Sequence, residues 1–473
     1  MLMTLAQLPP DRIWDVAVVG SGPAGMTAAV ALARLGRDVL LLEGGDRDYT
    51  DQSQSQYQGE VIGDPYFELD GCRLRMLGGT SFHWSGWCRP FEADDFDRRD
   101  VDSMAWWPID RSDLDPYRNT AAALLTVPDD FWSRDIEDGL CQFQFQVTAT
   151  PTRFGAHYFE EIRGSSRITL ALNSNLVGMA TEEGRVVGLE MASYQAERRM
   201  VRARTYVLAC GGIENSRLLM HFNRATKGQL IKVPATLGRY WMEHPHFDIG
   251  TGLVPRYERP SNYFRFQPAE LRRRGLLNCG LRVHRTHGGE RRDQLASLLC
   301  TAPRLAEPLF DLFRSDLSCT VRLRAAWEQA PRADNRIELD QSDPDIMGIG
   351  RVKLHWTKTD ADLANMRELA LAYGAHLVRQ DAGRIQLAPW VFGKADYPSG
   401  DETAGYHHIG GTRMSDKPET GIVDSNLKVF GQDNLYVAGS SVFPTGGHVN
   451  PTMTIVQLSM RLADHLNQTA LKH

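Results

Sequence analysis

The first forty residues alternate between dense apolar runs and glycine. Asp15-Val-Ala-Val-Val19 is a compact β-branched run, the pattern of a strand buried on both faces. Met26 to Leu35 is rich in Ala and Leu and stops at Gly36, which predicts a helix. Asp38-Val-Leu-Leu-Leu42 predicts a second apolar strand that ends on Glu43. Together these make one βαβ unit of about 30 residues. Residues 167–209 predict a meander of short strands, with Ile168–Leu172, Val186–Ala192 and Tyr206–Cys210 as its members. Arg351–Trp356 alternates and predicts a half-exposed strand, Asn434–Ala438 predicts a buried one, and Thr452–Leu466 has apolar residues at helical spacing. Tyr49 to Asp70 is polar, with a Gln/Ser-rich piece at Gln52–Gln58, and lacks either periodicity, which predicts a surface loop or lid. Met1 to Asp15 reads as a short disordered arm. Ser342–Asp345 reads as a β-turn, and Trp106-Trp107-Pro108 as a packing corner.

These elements divide the chain. Residues 1–100, 150–240 and 400–473 share one style and predict a Rossmann-like nucleotide-binding domain assembled from discontinuous segments. Residues 245–398 predict a second, α+β domain with an antiparallel sheet, and 101–149 a connecting or lid segment. The expected class is therefore α/β. A length of 473 residues accommodates two linked cores, and 42% hydrophobic with 24% charged residues is ordinary for a globular protein. A net charge of −6 argues against nucleic acid or an anionic membrane as partner. Arg272, Arg273 and Arg274 form a short basic run that reads as a solvated helix face. The seven cysteines, Cys72, Cys88, Cys141, Cys210, Cys279, Cys300 and Cys319, form no CxxC pair, which removes the spacing that zinc or a thioredoxin-like site needs. Their scatter suits reduced thiols and a cytoplasmic setting. No apolar stretch is long enough to span a bilayer, and the N-terminus lacks the order of a signal peptide.

The chemistry begins at Gly20-Ser-Gly-Pro-Ala-Gly25. Gly20 permits the tight turn, Gly22 lets the backbone approach a pyrophosphate, and Gly25 lets helix and strand pack closely. The helix N-terminus offers unpaired N–H groups to phosphate. Glu43, 18 residues past Gly25, is placed to accept from ribose hydroxyls. The fingerprint alone does not separate FAD from NAD. Two further segments favour FAD: the small-residue loop Leu77–Gly86, with Phe82, His83 and Trp84, and the late strand Asn434–Ala438, which returns to the first domain and ends on Gly439.

With these segments in view, the chain resembles the glucose–methanol–choline (GMC) oxidoreductases, flavoproteins that oxidise alcohols. The resemblance rests on the fingerprint, on Leu77–Gly86, on Ala209-Cys-Gly-Gly-Ile-Glu-Asn-Ser-Arg-Leu-Leu219 and on Tyr406–Leu466. The loop Thr80-Ser-Phe-His-Trp84 is most similar to the pyranose 2-oxidase and fructose dehydrogenase branch. The resemblance implies FAD held by Gly20, Gly22, Gly25, Glu43, Gly78, Gly79, Thr80, Ser81, His83, Trp84, Ser85, Val177, Ala209, Gly439, Ser440, Asn450, Pro451 and Thr452. It implies His408, four positions before Thr412, as catalytic base and Asn450, before Pro451, as its partner. His407 takes the base role if the register shifts by one. His448, two residues before Asn450, is placed to share it. For His83 two readings stand: a covalent bond to the flavin, as in pyranose 2-oxidase, or a hydrogen-bonding loop histidine, which is preferred. The implied substrate is a sugar, glycoside or polyol, with an aryl or secondary-metabolite alcohol as alternative. The implied electron acceptor is O₂, a quinone or a carrier protein. A flavin reductase or monooxygenase would be expected to show a second glycine fingerprint, and the chain has none. Trp241-Met-Glu-His-Pro-His246 places His244 and His246 at i, i+2 without the usual further ligands, so no metal is expected.

Overall fold

The β-branched run near the N-terminus forms the strand Ile13–Val19, at the middle of an eight-stranded sheet. The computed structural model describes residues 1–98, 106–254, 262–285, 320–398 and 405–470, so Cys300 and Cys319 lie outside the described residues. In this sheet Leu2–Met3, Ile168–Ala171, Val39–Leu42, Ile13–Val19 and Arg198–Leu208 run parallel, with Leu435–Val437 parallel on the far flank of the last. Arg198–Leu208 serves two pairings. Its first half pairs antiparallel with Arg185–Ala192, which pairs in turn with Asn175–Glu182. Apolar strands buried on both faces need cover above and below. The helix Pro23–Arg34 supplies part of it and packs against the C-terminal helix Thr452–His465. Proline opens the first helix in its first turn, and Gly36 closes it at φ 83°.

A second sheet is antiparallel throughout. Its order is Arg384–Leu387, His246–Leu253, Thr320–Trp327, Cys279–Arg285, Tyr263–Phe266, Leu140–Phe143 and Ser133–Asp135. Alternate residues (Phe247, Ile249, Leu281, Val283, Leu323, Ala325) are buried in a core shared with Met366, Leu369, Ala370, Tyr373 and Leu377 of the helix Asp360–Arg379. That helix starts at a capping box, Thr359 with Asp362. The other face of the sheet turns towards the nucleotide-binding domain. A third sheet, Arg336–Pro344, Gly350–Trp356 and Gly59–Gly63, is centred on Trp356, Leu354 and Val352. This is the α/β architecture with an antiparallel second sheet that the sequence predicts.

Four expectations need correction. The N-terminal arm is ordered: Leu2 and Met3 pair with Leu170 and Ala171, and Leu5 and Leu8 are 1% and 3% exposed. The Gln/Ser-rich stretch is no free loop. Thr50 caps a short helix at Asp51–Gln54, and the buried Gln54 donates to the carbonyls of Asp70 and Arg73 and accepts from Arg75 N–H. Polar side chains that satisfy backbone groups bury without any apolar signal. The supposed connecting segment gives two strands, 133–135 and 140–143, to the antiparallel sheet, whereas 336–356 leaves that sheet to pair with 59–63. The turn expected at Ser342–Asp345 lies further on, at 345–348, because Asp345 Oδ1 accepts from Met347 and Ile349 N–H.

Trp107 does sit in a corner, against Phe91, Phe96 and Phe443, with its indole N–H on Thr445 Oγ1 at 2.8 Å. Deleting residues 1–8 removes two buried leucines and a parallel pairing. The expected loss is about 3–6 kcal/mol of unfolding free energy, measured by urea titration. An unchanged midpoint would contradict the docked arm.

Candidate active site

A cavity of about 740 Å³ runs from the glycine fingerprint to the polar face of the antiparallel sheet. Its first end is built by strands that stop at one level. Val19 is in register with Leu42 and Leu208, and Leu208 with Val437. Gly20, Glu43, Ala209 and Ala438 therefore leave the sheet side by side, with Gly439 next after Ala438. Gly20 has φ 98°, and a Cβ there would stand 2.5 Å from Ala209 O. A Cβ on Gly25 would stand 1.9 Å from Gly20 O, so the helix lies on the turn with no room between them. A Cβ on Gly22 would meet nothing within 4 Å and would fill cavity space. Gly22 is the helix N-cap with no side chain capping it. These are the three requirements of a pyrophosphate cradle.

Ser21 ties this end together. Its N–H and Oγ–H donate to Glu43 Oε2 at 3.0 and 2.6 Å, and its Oγ accepts from Gly78 N–H at 3.1 Å. Glu43 Oε1 also accepts from Gly45 N–H, which leaves the carboxylate about one of its roughly four acceptor sites for a ribose hydroxyl. The loop after Gly78 is fixed by Arg153, which donates to the carbonyls of Ser81 and Trp84 at 2.7 Å each. Gly79, Thr80, Ser81, His83, Trp84 and Ser85 line the cavity, as do Ser440, Pro451 and Thr452. Gly25, Gly78 and Val177 do not; the first two are filled by close backbone approach. Val177 is skipped by the strand pairing at a bulge between Leu176 and Gly178, and Leu176 lines the cavity in its place. The sequence reading missed Arg73 and Arg75. Both reach Glu214 of the Ala209–Leu219 motif, at 3.8 and 3.7 Å. Arg73 Nη1 and Arg75 Nε are shielded from solvent and donate to nothing among the described residues. The residues present therefore fit a dinucleotide: an open cradle, a helix N-terminus and two buried donors without acceptors.

At the other end, Trp241–His246 runs beside Gly405–Gly410. Met242 and Ile409 exchange backbone hydrogen bonds, and Gly405 N–H donates to His244 O. Buried Glu243 holds the two segments together. Its Oε1 accepts from the N–H of His244 at 2.8 Å and of His407 at 2.7 Å, and its Oε2 from Tyr66 Oη–H. Burial pushes its carboxyl up to about 7 against these donors. A chain of polar contacts crosses the site. His244 Nε2 lies 3.1 Å from Gly446 O, His244 Nδ1 lies 2.9 Å from His407 Nδ1, and His407 Nε2 lies 3.0 Å from Asn450 Nδ2. A carbonyl only accepts, so His244 carries its proton on Nε2. Its Nδ1 then accepts from His407 Nδ1–H, and His407 Nε2 is left with a lone pair towards Asn450.

The expected side-chain pair of His408 with Asn450 is not formed. In an extended segment, neighbouring side chains point to opposite sides. His407 meets Asn450, while the His408 ring packs near Tyr66 and Trp241, at 6.4 and 6.0 Å between centroids. The His408 carbonyl accepts from Ser440 Oγ–H, and its Nε2 is buried with no hydrogen-bond partner among the described residues. His448 also lines the cavity, but its ring is buried edge-on against Phe143 with neither nitrogen hydrogen-bonded among the described residues. The His244-Pro-His246 pair, weighed above only as a metal site, supplies the neighbour of His407. What could have found it is the Glu-His pair facing a His-His pair; a single strand pairing brings them together. The described residues hold no group of three or more His, Cys, Asp or Glu arranged to bind a metal ion. None of the described helices is long and apolar enough to cross a membrane.

All five histidines here are less basic than usual, chiefly by burial. His244 is pushed down to about 4 and His246 to about 3; His408 also falls to about 3, with Arg73 and His83 adding to burial. His407 and His448 lie well below the ordinary range, His407 also because of the neighbouring histidines.

Residues 15–327 match the family described as FAD dependent oxidoreductase, and residues 331–459 that described as GMC oxidoreductase. The chain is 22% identical to the 2-methyl-1,2-propanediol dehydrogenase of Mycolicibacterium austroafricanum, over 96% of this chain and 95% of that one. It is 23% identical to the paromamine 6'-oxidase of Streptomyces fradiae, over 96% and 91%. The fold is similar to that of pyridoxine 4-oxidase from Mesorbium loti, with TM-score 0.59, 16% identity, and 96% and 99% of the two chains covered.

Two outcomes follow from this geometry. Gly22→Ala should leave the fold intact and lose the dinucleotide, whereas Gly25→Ala should lower both thermal stability and cofactor content. Equal stability of the two variants would contradict the packing at Gly25. Histidines buried neutral take up protons on unfolding. Stability is therefore full above the unfolded histidine value of about 6.5 and falls as pH drops below it, by up to about 1.4 kcal/mol per pH unit for each histidine. Glu243, with its carboxyl raised, acts in the opposite sense between about 7 and its unfolded value. One carboxyl against five imidazoles leaves a net loss, so unfolding midpoints at pH 5.5 should lie clearly below those at pH 7.5. A flat profile would contradict it.

Proposed function

Because the chain belongs to the FAD-dependent oxidoreductases of GMC type, we propose that it oxidises a CH–OH carbon of a sugar, glycoside or polyol to a carbonyl, with His407 as the base. The contact chain Gly446–His244–His407–Asn450 carries this reading. It presents one unprotonated imidazole nitrogen beside one amide N–H, within a cavity that also holds the dinucleotide cradle.

A substrate hydroxyl entering between His407 Nε2 and Asn450 Nδ2 replaces their mutual hydrogen bond with two of its own. It donates to Nε2 and accepts from the amide. Burial and the neighbouring histidines hold His407 well below the ordinary imidazole range, which favours the neutral ring and its available lone pair. As the hydroxyl proton moves to Nε2, the imidazole becomes a cation whose Nδ1–H already has an acceptor in His244. Asn450 holds the substrate oxygen in place without competing for the proton. FAD, when bound, would supply the acceptor for the hydride released from the carbon. The fingerprint residues, Glu43, Arg73, Arg75 and the loop Gly78–Ser85 are the groups that would hold it. Trp84, Trp87, Phe145, Tyr263 and Tyr406 line the cavity and suit the apolar C–H faces of a sugar ring. They would also accept an aryl alcohol.

The purified protein should be yellow, and an alcohol from a panel of sugars, glycosides and aryl alcohols should bleach it without oxygen. Bleaching by NADPH alone would favour a reductase instead. His407→Ala should lower the rate of anaerobic bleaching by roughly a thousandfold or more, and Asn450→Ala by about tenfold to a thousandfold, the range for one positioned group. His408→Ala should cost less than His407→Ala while all three variants keep their flavin. A larger loss at His408 would overturn the assignment.

A further inference from the structure

The wall of the cavity opposite the fingerprint is the polar face of the antiparallel sheet. Across three of its strands one row runs His246, Ala326 and Gly280, each opposite the next in register. All three line the cavity. Neighbouring strands stand about 4.8 Å apart, so the row spans about 10 Å. A methyl group at one position and no side chain at the next leave the backbone open to close approach by a ligand. Imidazoles close both ends of this floor. A Cβ on Gly280 would stand 3.2 Å from His448 Cδ2, so the His448 ring lies over that glycine. His246 closes the other end.

Both ends are tied to the reacting pair. His448 lies two residues before Asn450. His244 lies two residues before His246, and Pro245 between them holds His244 extended, so the two imidazoles project to one side. His244 is the ring that meets His407, at 2.9 Å. The floor therefore adjoins the place where a carbinol meets His407 and Asn450. His244 and His407 are engaged with each other, whereas the His246 ring makes no hydrogen bond among the described residues. It keeps part of its surface open, yet loss of surrounding water pushes its imidazole down to about 3. What stays open thus faces the cavity and not the exterior. A neutral imidazole has one N–H donor and one acceptor nitrogen, and a hydroxyl group complements either.

We propose that His246 reads a second hydroxyl of the substrate, so that the alcohol oxidised here is a polyhydroxylated ring, a sugar or a cyclitol, lying on the Ala326–Gly280 floor. With its carbinol between His407 and Asn450, such a ring presents a further hydroxyl to His246. That hydroxyl pairs an imidazole which otherwise faces the cavity unbonded. An aryl alcohol has no hydroxyl to offer there and would cover the ring while leaving it unpaired, which a site built around a hydrogen bond rejects. This inference rests on the alcohol-oxidising reading above.

The test uses the flavin-loaded enzyme without oxygen. Bleaching rates are compared at low concentration for glucose, methyl β-glucoside, myo-inositol and benzyl alcohol. At least one polyol ring should bleach the flavin faster than benzyl alcohol does. The fastest polyol is then compared with its monodeoxy analogues. Loss of the oxidised hydroxyl abolishes the reaction, and loss of the hydroxyl that meets His246 should slow it at least tenfold. In His246→Ala the second analogue and its parent should react at equal rates, while His246→Gln, whose amide still donates and accepts, keeps part of the difference. A merely structural role would slow the parent and every analogue by the same factor. That result would overturn the proposal and leave the alcohol reading standing, as would benzyl alcohol reacting as fast as every polyol. If no alcohol bleaches the flavin, the alcohol reading fails, and titration of the same polyols against the visible flavin spectrum decides the subsite. A perturbation that His246→Ala moves to at least tenfold higher concentration supports it, and the lack of such a shift overturns it.

Discussion

The site depends first on four parallel strands ending at the same level. Val19, Leu42, Leu208 and Val437 are in register, so the segments that follow them emerge together at the carboxyl edge of the sheet. In an open parallel sheet that edge is where a ligand binds. The strands come from opposite ends of the chain, yet the cost of closing such long loops grows only with the logarithm of their length. What the arrangement demands instead is small residues, because the backbones of Gly20, Gly25 and Ala209 touch. The same crowding that forbids a side chain at Gly25 leaves an open space at Gly22.

The second constraint is Glu243. A buried carboxylate costs several kcal/mol unless its oxygens are satisfied, and here the donors are the N–H groups of His244 and His407 and the hydroxyl of Tyr66. The energy that keeps Glu243 buried therefore fixes the spacing of the two histidines at the cavity. It also fixes which residue of the His407-His408 pair faces Asn450, since the strand pairing of Met242 with Ile409 sets the alternation.

The sequence was most legible where one residue type has one use. The glycine fingerprint, the apolar strands and the C-terminal helix could be read from spacing alone, because φ above zero, burial on two faces and helical period each leave a local trace. Which histidine meets Asn450 could not. Counting back from Thr412 leads to His408, and a shift of one residue leads to His407; the pairing across to Met242 is what turns His407 towards Asn450. The Gln/Ser-rich stretch misled for a related reason. Gln54 is buried by bonds to backbone groups 16 and 19 residues away, and no local pattern records that. Arg73 and Arg75 went unnoticed because an arginine in a sequence looks the same on a solvated face and in a cavity wall.

The neutrality of the buried histidines is not incidental to the proposed chemistry. The contact between His244 and His407 joins two Nδ1 atoms, so it holds only if one carries a proton and the other does not. Protonating His244 would set two N–H groups against each other at 2.9 Å and release the tautomer of His407. Burial prevents this by holding His244 near 4. The same burial weakens His407 as a base at rest. On the proposed mechanism the weakness is tolerable, because the imidazole need not be charged before the reaction: it would take the proton only as the hydride leaves, with His244 already an acceptor on its far side. The Glu243 junction thus sets the spacing of the two histidines, the Gly446 carbonyl sets their tautomers, and burial sets the charge state of the group that faces Asn450.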